Sequence, residues 1–235
     1  LLNSENTDVL KSELGWLSGI LGEARDLDVF ITQTIPPIIV QFENHTGLLN
    51  LHQKAELAKA ETYKSVREAL SSQRYQCFLL MLGAWLENES WCGSIHDSNK
   101  VKVLDIANAM LKKRHRQLRQ SGKGITKMHA EERHVIRIAA KKLRYAAEFF
   151  ASLYSSKKST AYVRSLSQLQ DCLGVLNDIT TTEKLVQKLI GSRPNRMINE
   201  ATYICAGWNA YHATSSLEHL EGIWRTFTSQ KKFWA

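Results

Sequence analysis

The sequence predicts an all-α protein. Apolar residues recur every three or four positions over long stretches, only three prolines and twelve glycines interrupt 235 residues, and no segment alternates over strand length. A chain of this size that is 43% hydrophobic can bury a sizeable core, so disorder is not expected.

Helices are expected over 6–32, 37–44, 48–70, 73–89, 98–121, 129–154, 158–190 and 196–230. Each break has a chemical cause. Pro36 and Pro37 should stop the first helix, because proline supplies no N–H and clashes with the preceding turn. NHTG before Leu48 is a loop, ESWCGSIHD places a glycine between two helices, and SGKG (121–124) and SRPN (192–195) are turn chemistry. Short connections between long helices favour antiparallel bundles.

The chain also repeats itself. LGWLSGILGEARDL (14–27) aligns with LSQLQDCLGVLNDI (166–179) at an offset of 152, with Leu14/Leu166, Leu17/Leu169, Leu21/Leu173, Gly22/Gly174 and Asp26/Asp178 identical. If the halves are related, a counterpart of the helix near residues 134–150 falls upstream of residue 1, so the chain is expected to lack a first helix.

Charge is concentrated. The formal net charge is +8, but residues 112–144 hold twelve Lys or Arg against Glu131 and Glu132, a net of +10 that leaves −2 for the rest. A concentrated basic region attracts a polyanion, whereas diffuse charge mainly sets solubility. At the centre is RHVIRIAAKKLRYAAEFF (133–150), where Arg133, His134, Arg137, Lys141, Lys142 and Arg144 face one carboxylate, Glu148.

At about 100° per residue, His134, Arg137, Lys141, Arg144 and Glu148 share roughly 80° of the helix, with Ile136, Leu143 and Phe150 opposite. Ile138, Tyr145 and Phe149 flank the stripe on one edge, Ala140 and Ala147 on the other. Apolar shoulders suit a groove in which neighbouring helices cover them and the long basic stems follow apolar surface to a shared aqueous space. In the preceding helix Leu104, Leu111 and Leu118 mark a core seam with His115 beside it, and Lys112, Arg116 and Arg119 gather on another face.

Other chemistries find little anchorage. Cys77, Cys92, Cys172 and Cys205 make no C-x-x-C and read as reduced thiols of a cytosolic protein. No apolar run approaches the ~20 residues of a membrane span. His96-Asp97 is an HD dipeptide to which His45 and His52 are the available additions, a thin basis for a metal-dependent phosphohydrolase; Asp97 or Ser98 reads better as a helix cap. Asp26 and Asp178 read as hydrogen-bond acceptors at a helix crossing rather than as acid–base chemistry. GKG at 122–124 lacks P-loop spacing, and no G-x-S-x-G is present. Non-specific nucleic-acid binding is compatible with the basic patch, but the tryptophans sit at core-like positions and no base-reading motif accompanies them.

Taken together, ILGEARDLDVF (20–30), SQRYQCFLLMLGAWLE (72–87), LKKRHRQLRQSGK (111–123), EERHVIRIAAKKLRYAAEFF (131–150), LSQLQDCLGVLND (166–178) and WRTFTSQKKFW (224–234) resemble the CHAD domain, the conserved histidine α-helical domain. The resemblance implies one domain over 1–235, made of two pseudo-symmetric four-helix bundles around a basic central groove. The first half would span 1–124, incomplete at its start, and the second 125–235. It further implies binding of inorganic polyphosphate with no cofactor and no catalytic step, through His134, Arg137, Lys141, Lys142 and Arg144, joined by Arg25, Arg114, His115 and Arg116. Triphosphate tunnel metalloenzyme domains are implied as partners, and a cytoplasmic or polyphosphate-granule setting as location. The family's first His/Arg-rich helix has no match here, and Asn177 stands where the repeat has Arg25.

Overall fold

The computed structural model describes residues 4–87, 102–191 and 195–234. All regular structure among them is helical: α1 Ser4–Val29, α2 Ile35–Gln41, α3 Thr46–Leu70, α4 Gln73–Glu87, α5 Val103–Ser121, α6 Ala130–Phe149, α7 Ser156–Ile190 and α8 Arg196–Ser229. The chain divides into two compact units, one of residues 1–99 with 182–206 and one of 100–181 with 207–235. The HD dipeptide, Cys92 and Trp91 lie outside the described residues.

Pro36 and Pro37 do not stop the chain's helical course. A π-helical turn, Phe30–Thr34, joins α1 to α2, and the prolines occupy the first turn of α2. Ile35 N–H reaches back five residues to the Phe30 carbonyl, and the widened turn accommodates two residues that have no N–H to donate. The polypeptide turns later, where Glu43 and Asn44 adopt left-handed φ values of 49° and 61°. The helix expected to reach residue 154 also ends earlier, at Phe149, followed by a 3₁₀ turn at Ala151–Leu153.

In the first unit α1 packs on α3 and α4. Lys59 Nζ lies 2.8 Å from Asp28 Oδ1, and Tyr63 donates to Asp28 Oδ2 at 2.6 Å. These hydrogen bonds, Lys59's first, hold the Asp28 carboxyl below its usual range. Asp28, two residues from Asp26, thus makes bonds across the α1–α3 crossing. Arg74 of α4 clasps Glu13 at 2.7 Å and lies over the Trp16 ring.

Gly47 fixes the start of α3. A Cβ there would overlap the Met197 carbonyl oxygen in the first turn of α8, while His45 Nδ1 caps the helix by accepting from Gly47 N at 3.2 Å. Gly47→Ala should therefore destabilise the chain by about 1–3 kcal/mol, because backbone cannot step aside as a side-chain tip can. Thermal denaturation checks this, with Gly19→Ala in mid-α1, where a Cβ meets nothing within 4 Å and should stabilise by about 0.5–1 kcal/mol, as the unhindered comparison.

The second unit has a continuous core. Ala107, Leu111 and Leu118 of α5, Ile136, Ala140 and Leu143 of α6, Leu166, Leu169 and Leu173 of α7 and Leu220 and Phe227 of α8 are all essentially inaccessible, and Phe233 and Trp234 close it. Leu104, expected to belong to the α5 seam, is 42% exposed; Ala107, one turn further in, begins the buried row instead.

The internal repeat is real in sequence but unequal in burial. Leu166 and Leu173 are 0% and 1% exposed, whereas their counterparts Leu14 and Leu21 are 47% and 42% exposed. In the second unit the apolar side of α6 shares the core with that face of α7. Among the described residues, no counterpart of α6 packs on α1.

Candidate functional site

The basic stripe is set by how α6 begins. Glu132 accepts from the His129 backbone N–H at 2.8 Å, and Glu131 and Glu132 sit in the first turn, at the positive end of the helix dipole. The helix's early carboxylates are used there. Arg133 donates through Nη1 to the Met128 carbonyl, tying down the entry turn.

Further along, α6 side chains meet α7. His134 Nδ1 stands 2.6 Å from Asn177 Oδ1, and Asn177 Nδ2 faces the Asp178 carboxylate at 3.5 Å. The amide oxygen accepts, so Nδ1 carries the proton. Arg137 passes beside Gly174, with its Nε enclosed and without a hydrogen-bond partner. Lys141 is half-buried on the same side and Lys142 is exposed. Arg144 is already engaged: Nε donates to Gln170 Oε1 and Nη1 to Glu148 Oε1, both at 2.9 Å, and its plane lies over Tyr145.

The expected cover on both shoulders of the stripe is found on one. Ala140 and Ala147 are fully buried in the core, but Ile138, Tyr145 and Phe149 are 38%, 52% and 80% exposed. The stripe therefore borders α7, through His134, Arg137 and Arg144, and is uncovered along its aromatic edge.

A second group of cations lies on α5. Lys112, His115, Arg116 and Arg119, all expected from the sequence, line a pocket of about 490 Å³ together with Lys123, Lys232 and Trp224. Lys123 and Lys232 were not expected as site residues, although both lie in segments that carried the family resemblance. Gly122 permits the closure, because a Cβ there would overlap the Trp224 indole. His115 is 4% exposed, with Nδ1 2.7 Å from the hydroxyl of fully buried Tyr162. Burial, then Lys232 and Arg119, push its pKa down to about 4, so it is neutral at pH 7.

Arg114 is half-buried with its Nε enclosed and lies outside that pocket's lining. Arg25 belongs to the first unit, where it is exposed on α1. His45 serves as the cap of α3 and sits 3.6 Å from Glu200, and His52 lies 3.9 Å from Glu56. Among the described residues there is no group of three or more His, Cys, Asp or Glu able to hold a metal ion, and no helix long and apolar enough to cross a membrane.

No curated protein matches the chain. The family model described as CHAD domain matches residues 1–187, a span that holds the α6 stripe, the α7 residues it borders and the α5 cations. By that match over most of its length, the chain belongs to the CHAD domain family.

Proposed function

We propose that this chain is a non-catalytic binding module for inorganic polyphosphate. The α6 stripe and the α5 cations supply the contacts, and the module serves to target a protein to polyphosphate or to regulate phosphate metabolism. Family membership supports the ligand class. The observation that carries the reading is the balance of charge along the α6 stripe where it borders α7. The stripe's own single carboxylate, Glu148, is bound by Arg144, and among the described residues no salt bridge engages His134, Arg137, Lys141 or Lys142, although Asp178 of α7 stands beside the Asn177 that meets His134.

The spacing suits a flexible chain of like charges, since cations one helical turn apart, about 5.4 Å, engage successive phosphates of one ligand. Arginine offers paired donors to phosphate oxygens, and lysine a less directional charge. A triphosphate tunnel metalloenzyme domain as partner, and a cytoplasmic or granule-associated location, belong to this same proposal.

Calorimetric titration with long-chain polyphosphate tests it. Four phosphates neutralised on the stripe alone, at about 0.7 counterions each, give a log–log salt slope of about −2.8, so affinity should fall by at least roughly 50-fold between 50 and 200 mM salt. Duplex DNA should bind more weakly and be displaced by polyphosphate. Equal affinity for the two polyanions would instead favour a non-specific nucleic-acid binder.

A further inference from the structure

The α5–α8 pocket is separate from the stripe, since no α6 side chain lines it. Its volume of about 490 Å³ is in the range of small-molecule sites, more than a single oxyanion fills. Five of its lining residues are cations, namely Lys112, Arg116, Arg119, Lys123 and Lys232, and none is a carboxylate. Like charges gathered against apolar surface repel one another at reduced dielectric, and a multiply charged anion relieves that repulsion.

His115 gives the pocket a second, independent feature. It lines the pocket, is 4% exposed, and its Nε2 has no partner in the protein. Tyr162 decides which proton it carries. The Tyr162 residue is fully buried and, among the described residues, its hydroxyl has its one hydrogen-bond contact with His115 Nδ1, so that hydroxyl must donate to Nδ1 or bury an unsatisfied O–H. Nδ1 is thereby the acceptor, and Nε2 carries the hydrogen. The result is a buried, neutral N–H donor without a protein acceptor, packed among the Tyr162, Phe227 and Trp234 rings and within the field of Lys232 and Arg119: a site that suits a ligand with many acceptor oxygens.

Condensed phosphates offer two kinds of unit. An internal phosphoryl group carries one negative charge, whereas a terminal group has a further ionisable oxygen and, like a phosphomonoester, approaches about −2 at pH 7. A pocket with this density of cations selects the more highly charged unit. We propose that the α5–α8 pocket binds the terminal phosphoryl groups of a condensed phosphate, with His115 Nε2–H donating to one oxygen and the surrounding Lys and Arg neutralising the rest. This extends the polyphosphate reading from chain middles on the stripe to chain ends in the pocket, and rests on it for the ligand class. Free inorganic triphosphate and the end of a long chain present the same chemistry.

The test titrates the chain with inorganic triphosphate, with long-chain polyphosphate, and with the same polyphosphate whose ends are blocked as phosphoramidates. Lys123→Gln with Lys232→Gln, both on exposed side chains, should weaken triphosphate by at least about 10-fold. The same pair should remove any preference for free over blocked ends. The exposed α3 pair Lys54→Gln with Lys64→Gln, outside both pocket and stripe, should leave triphosphate binding nearly unchanged. In addition, the His115 Nε2 resonance in ¹⁵N-edited spectra should shift on adding triphosphate, a readout that needs no substitution.

A pocket-dependent triphosphate signal without any effect of end-blocking supports the pocket and assigns it to free triphosphate. Long-chain binding without triphosphate binding, or triphosphate binding indifferent to the pocket variant, overturns the end-binding proposal and leaves the stripe standing. Pocket-dependent triphosphate binding with no long-chain binding does the reverse: it keeps the pocket and overturns the polyphosphate reading.

Discussion

Reversing two stripe charges, Arg137→Glu with Lys141→Glu, is expected to weaken long-chain polyphosphate by at least about 100-fold, since two charge-assisted contacts at about 1.5 kcal/mol each are lost before repulsion is counted. The salt slope should flatten as well, by roughly 0.7 for each phosphate no longer neutralised. Far-ultraviolet circular dichroism must show the helices retained, because Arg137 is half-buried beside Gly174. The comparison variant matters as much. Lys59 looks in sequence like any scattered lysine, but it is bound to Asp28, so reversing it would set two carboxylates against each other. Lys54 with Lys64, both exposed, is the sound control, and their reversal should change affinity by less than about 3-fold. Equal losses from both pairs would mean that net charge alone attracts the ligand and that the stripe has no special place.

What could be read in advance was whatever a single helix carries in its own periodicity. The α6 stripe needs only residues 134–148 and a rotation per residue, and in the structure two of its members, His134 and Arg144, bond Asn177 and Gln170 of α7. Lys232 was missed because its neighbourhood is tertiary: it meets α5 more than a hundred positions away, through the end of α8 and the Trp224–Gly122 contact. The repeat shows the same limit. Leu14 and Leu166 are the same residue at the same repeat position, yet one is exposed and the other buried, since burial belongs to the neighbours and not to the residue. Pro36 and Pro37 were read by their local rule, and a π turn five residues long satisfied that rule without ending the helical run. Asp28, which has no repeat partner, makes bonds across the α1–α3 crossing that no repeat match could have pointed to.

His115 should make the chain's stability sensitive to mild acid. Its pKa is about 4 in the folded chain against 6.5 when exposed, so below pH 6.5 the unfolded state binds a proton that the folded state refuses. Stability is complete above pH 6.5, falls as pH drops towards 4, and loses nothing further from this group below that; the difference corresponds to about 3 kcal/mol. Urea denaturation at pH 7, 5.5 and 4.5 measures the slope, and His115→Gln, whose amide oxygen still accepts from Tyr162, should flatten it across that window. A slope unchanged in the variant would assign the acid sensitivity elsewhere. The groups opposing protonation are Lys232, beyond α8, and Arg119, on α5, and both line the same pocket. An anion seated there reverses their effect by neutralising both and accepting from Nε2–H. Triphosphate should therefore stabilise the chain more at pH 5 than at pH 7, the opposite of what loss of ligand charge on acidification alone would produce, and a larger effect at pH 7 would separate His115 from the ligand.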